Sequence, residues 1–325
     1  MAAGGRVVTL PDERTRIGVI GTGAMGANHV RVLARMECAE LVGVYDLMPE
    51  RAESAAADHG TTAFAELARL TDAVDGVVLA TPTGSHAEVG CEILRRGVHL
   101  LVEKPIADSL AGADDLLAAA GDRQLAVGHV EFFNPAVQAL LGSNLGTPGF
   151  VEIHRLAAFS RRSLDIDVVL DLMIHDLQIL HALDGSELAD LRATGVSVLS
   201  NRADIANARL ELASGCVANV TASRVSAERI RKLRVFAPPN YFSIDYHQQQ
   251  VNGVALEETG GERRFVPRRL EVQPADSLER ELTTFVGGIR GEQVCQVDGR
   301  QGRRALETAL AVVEAMAQHE QDRRA

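Results

Sequence analysis

The chain has 325 residues, 46% hydrophobic and 24% charged, with a formal net charge of -11. That composition is globular and the length suits two domains, while the acidic balance excludes a general polyanion binder, which needs a basic field. The start lacks the apolar core of a signal peptide and no stretch approaches the roughly 20 apolar residues of a membrane span, so a cytoplasmic protein with neither nucleic-acid nor membrane partners is expected.

From residue 16, short apolar runs at 16–21, 39–46, 76–80, 98–103 and 124–129 alternate with amphipathic stretches at about 24–36, 49–59, 85–96 and 109–120. Near-continuous apolar strands separated by helices of that length predict a parallel sheet covered on both faces. After about residue 129 the rhythm changes. A helical run follows Asn134, then a strand at 150–160, one strong helix over 167–183, and strand-like runs at 193–200, 205–214, 216–223, 232–238 and 241–247. Successive strands without intervening helices predict a mostly antiparallel open sheet. Helices at about 276–290 and 300–318 close the chain. The expected division is therefore 1–129, an α/β domain, and 130–325, an α+β domain that carries substrate and subunit contacts. Four cysteines (Cys38, Cys91, Cys216, Cys295) lie too far apart for a zinc set or a dense disulfide framework, and all are read as reduced.

Gly21-Thr22-Gly23-Ala24-Met25-Gly26 follows the first apolar strand and opens a helix. In that context the first glycine permits a tight turn, the second lets a pyrophosphate approach the backbone, and the third lets helix and strand pack closely. Free N–H groups at the helix start then meet the phosphates. Asp46 ends the next strand, 20 residues after Gly26, where a carboxylate binds ribose hydroxyls and repels a 2′-phosphate. Leu47-Met48-Pro49 supplies no cation to offset that repulsion. These features predict a Rossmann domain with NAD as cofactor in preference to NADP.

Thr81-Pro82-Thr83-Gly84-Ser85-His86 follows the run at 76–80, Glu103-Lys104-Pro105 leaves the next strand, and Asp171 and His175 sit on the strong later helix. Together with the glycine fingerprint, these segments resemble the glucose-fructose oxidoreductase, inositol dehydrogenase and MocA family of sugar and polyol dehydrogenases, over nearly the whole chain. The resemblance implies that Lys104, Asp171 and His175 form the active site. It places Thr81, Pro82, His86, Glu103 and Lys104 beside the cofactor. Where many members carry a Gly-Gly pair before the helix, this chain has Val168-Val169.

The residues support these roles on their own chemistry. Only Lys104 and Lys232 are lysines in an arginine-rich chain. A compact ammonium beyond the carboxyl end of a parallel strand can donate to an alcohol or carbonyl oxygen, whereas arginine does not surrender its proton. A surface lysine paired with Glu103 is the structural alternative. Asp171 and His175 are four apart, so on an α-helix they share a face, and the Asp is expected to fix one imidazole tautomer. A surface pair or a hydrogen-bonded core histidine is the alternative there. His86, His99, His129, Asp176 and His181 are read as structural, although the resemblance puts His86 beside the nicotinamide end. Asp171, His175 and His181 do not make up zinc's ligand set, so no metal is expected. Lys104 and His175 remain interchangeable as acid and base.

The stretch from Val127 to Pro135, with 171–177, 231–238 and 241–246, is similar to the subgroup that oxidises the 3-hydroxyl of UDP-N-acetylglucosamine, with Phe132 where Arg is more usual. That resemblance implies a 3-keto nucleotide sugar bound for lipid A or surface-glycan synthesis, and a homodimer or homotetramer. Glu131 and Asn134 are candidates to bind sugar hydroxyls, and Arg161 and Arg162 a diphosphate; a structural turn and a solvated loop are the alternatives. Oxidation of inositol or a free sugar, reductive chemistry on a non-sugar carbonyl, and a non-catalytic NAD-binding redox sensor are the competing readings.

Overall fold

A computed structural model describes residues 14–159, 166–259 and 262–324. The first part runs β1 (Thr15–Ile20), α1 (Ala24–Leu33), β2 (Ala39–Tyr45), α2 (Pro49–His59), β3 (Thr62–Ala63), α3 (Leu67–Thr71), β4 (Gly76–Leu79), α4 (His86–Arg95), β5 (His99–Glu103), α5 (Leu110–Ala120) and β6 (Leu125–Gly128). Its strands pair in parallel in the order β3-β2-β1-β4-β5-β6. The apolar runs form this sheet because both faces are covered: Ile17, Val19, Val77, Val78, Leu100 and Leu101 are each no more than 1% exposed. The strand order reverses between β1 and β4, which opens a crevice at their carboxyl ends.

The second part runs α6 (Pro135–Leu141), β7 (Phe150–Leu156), α7 (Ile174–Leu183), β8 (Leu188–Val196), β9 (Ile205–Leu212), β10 (Val217–Ser223), β11 (Ile230–Ala237), β12 (Asn240–Asp245), β13 (Gln250–Thr259) and β14 (Glu262–Leu270), then α8 (Ser277–Ile289) and α9 (Gly299–Arg324). The sheet order is β14-β13-β12-β11-β7-β10-β9-β8, antiparallel except where β7 meets β10. β9 shows why one face is covered: Ala206, Ala208, Leu210 and Leu212 point into a core shared with α7 and α9, while Asn207, Arg209 and Glu211 face out. The opposite face carries an aromatic trio, Phe150, Phe236 and Tyr241, with ring centroids 5.7 and 4.8 Å apart.

Three local differences from the sequence expectation have physical causes. β3 and α3 are two and five residues long, too short to show periodicity. The run at 193–200 stops being a strand at Val196, because the Asp204 carboxylate accepts the N–H groups of Val198, Leu199 and Ser200 at 2.8, 2.6 and 2.9 Å and curls the chain around itself. α8, last but one in the chain, returns to the first sheet: Leu278, Leu282, Phe285 and Val286 share a core with Ile17, Val19, Val78 and Leu101. Burial of each such side chain is worth about 1.5–3 kcal/mol. All four cysteines are free, and no helix among the described residues is long and apolar enough to cross a membrane.

Candidate active site

The crevice is a cavity of about 780 Å³ lined by Gly21, Gly23, Met25, Asp46, Thr81, Pro82, Glu103, Lys104 and Asp171, among others. Its floor is the glycine turn. A Cβ on Gly26 would stand 1.8 Å from the Gly21 carbonyl oxygen, so helix and strand approach as only glycine allows. Gly23 has open space where a side chain would project, the gap a dinucleotide pyrophosphate needs. Asp46 accepts from the Thr22 N–H and hydroxyl at 2.7 and 2.9 Å and from the Met48 N–H at 2.9 Å. Burial works against its charge, but these bonds outweigh burial and hold the carboxyl below its ordinary pKa. The arrangement therefore fits NAD. Arg51, on the first turn of α2, lines the same cavity and is a cation that the sequence reading missed because it stopped at Pro49.

At the other end of the cavity, Lys104 leaves β5 ahead of a cis bond to Pro105. Its Nζ donates to the Asp171 main-chain oxygen at 2.6 Å and to Asp171 Oδ1 at 3.1 Å, and the two side chains are 16% and 22% exposed. This corrects the expected Asp171–His175 pair. The ammonium takes the Asp171 carboxylate and His175 Nδ1 is left without a partner, in a stretch where residues Val169–Met173 form a π turn. Val168 and Val169, which replace the Gly-Gly pair, are fully buried core residues.

His175 lies one turn further on, 8% exposed, with Nδ1 buried and unpartnered, and it is not part of the cavity lining. Burial first, and then the positive charges of Lys104, Arg155 and other neighbours, depress its pKa well below the usual value. Its ring meets that of His129 edge-on, at 5.7 Å between centroids and 88°. His129 is fully buried with both nitrogens unpartnered, and burial and Lys104 lower its pKa to about 3.

Other candidate residues serve the scaffold. His86 does not line the cavity: Nδ1 lies 2.9 Å from the Pro105 oxygen and Nε2 2.9 Å from the Thr81 oxygen, so the ring braces the two loops that do. Asn134 caps α6 through the Ala136 N–H at 3.0 Å and donates to the Tyr246 oxygen at 3.0 Å, and at 4% exposure it has no face for a sugar. Glu131 Oε1 accepts from Arg155 and Arg231 at 2.9 and 2.7 Å. Arg155 in turn grips Asp176 with two bonds of 2.7 Å and stacks on Tyr246. Those carboxylates outweigh burial and push the Arg155 pKa well up. Phe132 packs edge-on against Phe133 at 5.3 Å in the core. Arg161 and Arg162 lie outside the described residues.

A family model described as an oxidoreductase family with an NAD-binding Rossmann fold matches residues 15–130. The UDP-N-acetylglucosamine 3-dehydrogenase of Acidithiobacillus ferrooxidans is 38% identical over 303 residues, covering 91% of this chain and 96% of that one. The chain belongs to the Gfo/Idh/MocA oxidoreductase family. A solved structure of that dehydrogenase superposes with a TM-score of 0.87 at 37% identity, over 94% of this chain and 99% of its own. An inositol 2-dehydrogenase of Ralstonia nicotianae is 32% identical over 185 residues, about half of each chain, at 53% and 55%. Levoglucosan dehydrogenase in complex with NADH has a TM-score of 0.82 at 19% identity, a likeness of fold alone.

As a Gfo/Idh/MocA oxidoreductase the protein uses NAD, and its own residues divide the work of holding it. The glycine turn has the room that a pyrophosphate would need and Asp46 the oxygens that a ribose would need, and Thr81, Pro82 and Glu103 line the same cavity. Lys104 and Asp171 line the same cavity.

Proposed function

We propose that this protein oxidises a secondary ring hydroxyl of a nucleotide-activated amino sugar, the 3-hydroxyl of UDP-N-acetylglucosamine or a close relative, with NAD. The observation that carries the reading is 38% identity to the Acidithiobacillus ferrooxidans enzyme over 91% of this chain and 96% of that one. The Lys104–Asp171 pair at the reacting end of the cofactor cavity agrees with it.

In this mechanism Lys104 Nζ donates to the oxygen of the hydroxyl and stabilises it as it becomes a carbonyl. Asp171 aims the ammonium through its carboxylate and its main-chain oxygen. The hydroxyl proton goes to His175, which burial and the Lys104 charge keep neutral and which stands behind the cavity lining rather than in it. When bound, NAD supplies the acceptor for the carbon-bound hydride.

NADH formation measured with UDP-N-acetylglucosamine, myo-inositol and free hexoses tests the proposal. The nucleotide sugar should exceed the others in kcat/KM by at least about tenfold, a difference of about 1.4 kcal/mol in transition-state binding. Faster turnover of inositol or a free hexose would displace the substrate assignment. Absence of NADH across the panel would restore the redox-sensor reading.

A further inference from the structure

Behind Lys104, three side chains from separate elements converge: His29 of α1, Glu103 at the end of β5 and Glu281 of α8. They are 0%, 6% and 2% exposed, and one nitrogen or oxygen of each lies within 4.8 Å of those of the others. His29 Nε2 is 2.7 Å from Glu103 Oε1, and Glu103 Oε2 accepts the Lys104 main-chain N–H at 3.2 Å. Both oxygens of Glu281 are buried without a hydrogen-bond partner.

A second carboxylate placed beside the first, away from water and with no donor, is strongly disfavoured. Two carboxyl groups in one buried site hold a single negative charge far more readily than two. We propose that Glu281 is held as a neutral carboxylic acid, its O–H turned toward the Glu103 carboxylate that lies within 4.8 Å, and that it acts as a positioning residue for Lys104. His29 and Glu281 then fix Glu103 from two sides, and Glu103 fixes the main chain from which the reacting ammonium projects. The proposal rests on the role given to Lys104 above.

The electrostatics agree with the geometry. Burial, and then the Glu103 charge, raise the Glu281 pKa well above the carboxylate range. Burial also opposes the charge of Glu103, but His29 and Lys104 outweigh it and keep that carboxyl low. The remaining titratable group facing Glu281 is the Cys295 thiol, which burial pushes up to about 11, so it adds no charge at neutral pH.

Three measurements decide the matter, two of them independent of turnover. The infrared difference spectrum of the native protein minus Glu281→Gln, at pH 7.5, should show the carbonyl band of a protonated carboxyl. Only ionised carboxylate bands, or a stoichiometric divalent metal found by elemental analysis and lost in the variant, would overturn the proposal. Thermal melting gives the second readout. An unfolded glutamate ionises near pH 4.3, whereas the folded group keeps its proton, so the native protein loses stability as pH rises above that value. Glu281→Gln carries no such group, and its Tm relative to native should rise by about 3 °C or more from pH 5 to pH 8; a constant difference contradicts the neutral acid. Third, Glu281→Leu, which cannot donate, should lower kcat about tenfold with the KM for NAD little changed, and Glu281→Gln should recover most of the loss. Equal kcat in the two variants refutes the positioning role. Should Lys104 prove inessential, the spectrum and the melting curves still judge the protonation of Glu281 by themselves.

Discussion

Replacing Asp171 by Asn keeps the side-chain shape and removes the charge that faces Lys104. Nζ lies 3.1 Å from Oδ1, and the side chains are only 16% and 22% exposed. Two unit charges at that distance attract by about 5 kcal/mol at an effective dielectric of 20. Residual water screens part of this attraction, and the 2.6 Å bond to the main-chain oxygen survives the substitution. About 1–3 kcal/mol remains to be lost, or about 5–150-fold in kcat/KM if the pair acts in the transition state. Lys104→Met removes the donor itself and should cost about 10²–10⁴-fold. The two losses should not add: with Lys104 already gone, Asp171→Asn has no partner to release and should cost less than about threefold. Initial rates of NADH formation for the four proteins give the cycle, with NAD affinity measured separately to certify the cofactor site. Fully additive losses, or a native rate in Asp171→Asn, would refute the proposed link between these residues.

Two further substitutions probe charge elsewhere in the site. Because burial holds the His129 pKa at about 3, the native protein loses stability as pH falls below 6.5, where the unfolded histidine gains a proton and the folded one does not. From pH 7.5 to pH 5.0 this amounts to about 2 kcal/mol, so His129→Leu should gain that much relative to native in urea unfolding; circular dichroism suits a chain without tryptophan, and a pH-independent difference would contradict the account. Asp46→Ser removes the charge that repels a 2′-phosphate and leaves Arg51 in the cavity, so the NADP/NAD ratio of kcat/KM should rise by at least about tenfold; an unchanged ratio would show that Asp46 does not set cofactor choice.

Much of the N-terminal sheet is legible in the chain because each strand is a short apolar run buried on both sides, and the glycine turn because its spacing answers a steric demand. Lys104 stands out through the chemistry that retains a lysine among arginines. The legible features are local. What escaped the reading depends on distant partners: Glu131, Arg155, Asp176, Arg231 and Tyr246 meet only when β7, α7 and β11 come together. Asn134 has the composition of a sugar ligand, yet its position before Pro135 makes it a helix cap. Asp171 and His175 have α-helical spacing, and nothing local announced that Lys104, 67 residues earlier, would take the carboxylate instead. α8 gives an amphipathic signal that says nothing about which of two sheets it will cover.

The division of labour between the two kinds of cation follows from their protonation chemistry. Where a buried positive charge has only to hold the scaffold, the chain uses arginine: Arg155 spans Asp176 and Glu131, and Arg224 meets Asp204 at 2.9 Å. A guanidinium is permanently charged and satisfies two oxygens in a fixed plane, so it is stable there and inert. At the end of β5 stands instead the lysine to which the proposed function gives the reacting oxygen, a compact ammonium on a flexible stem held by Asp171. The surrounding groups suit its charge: Asp171 and Glu103 supply the counter-charge, while its field helps keep His129 and His175 neutral.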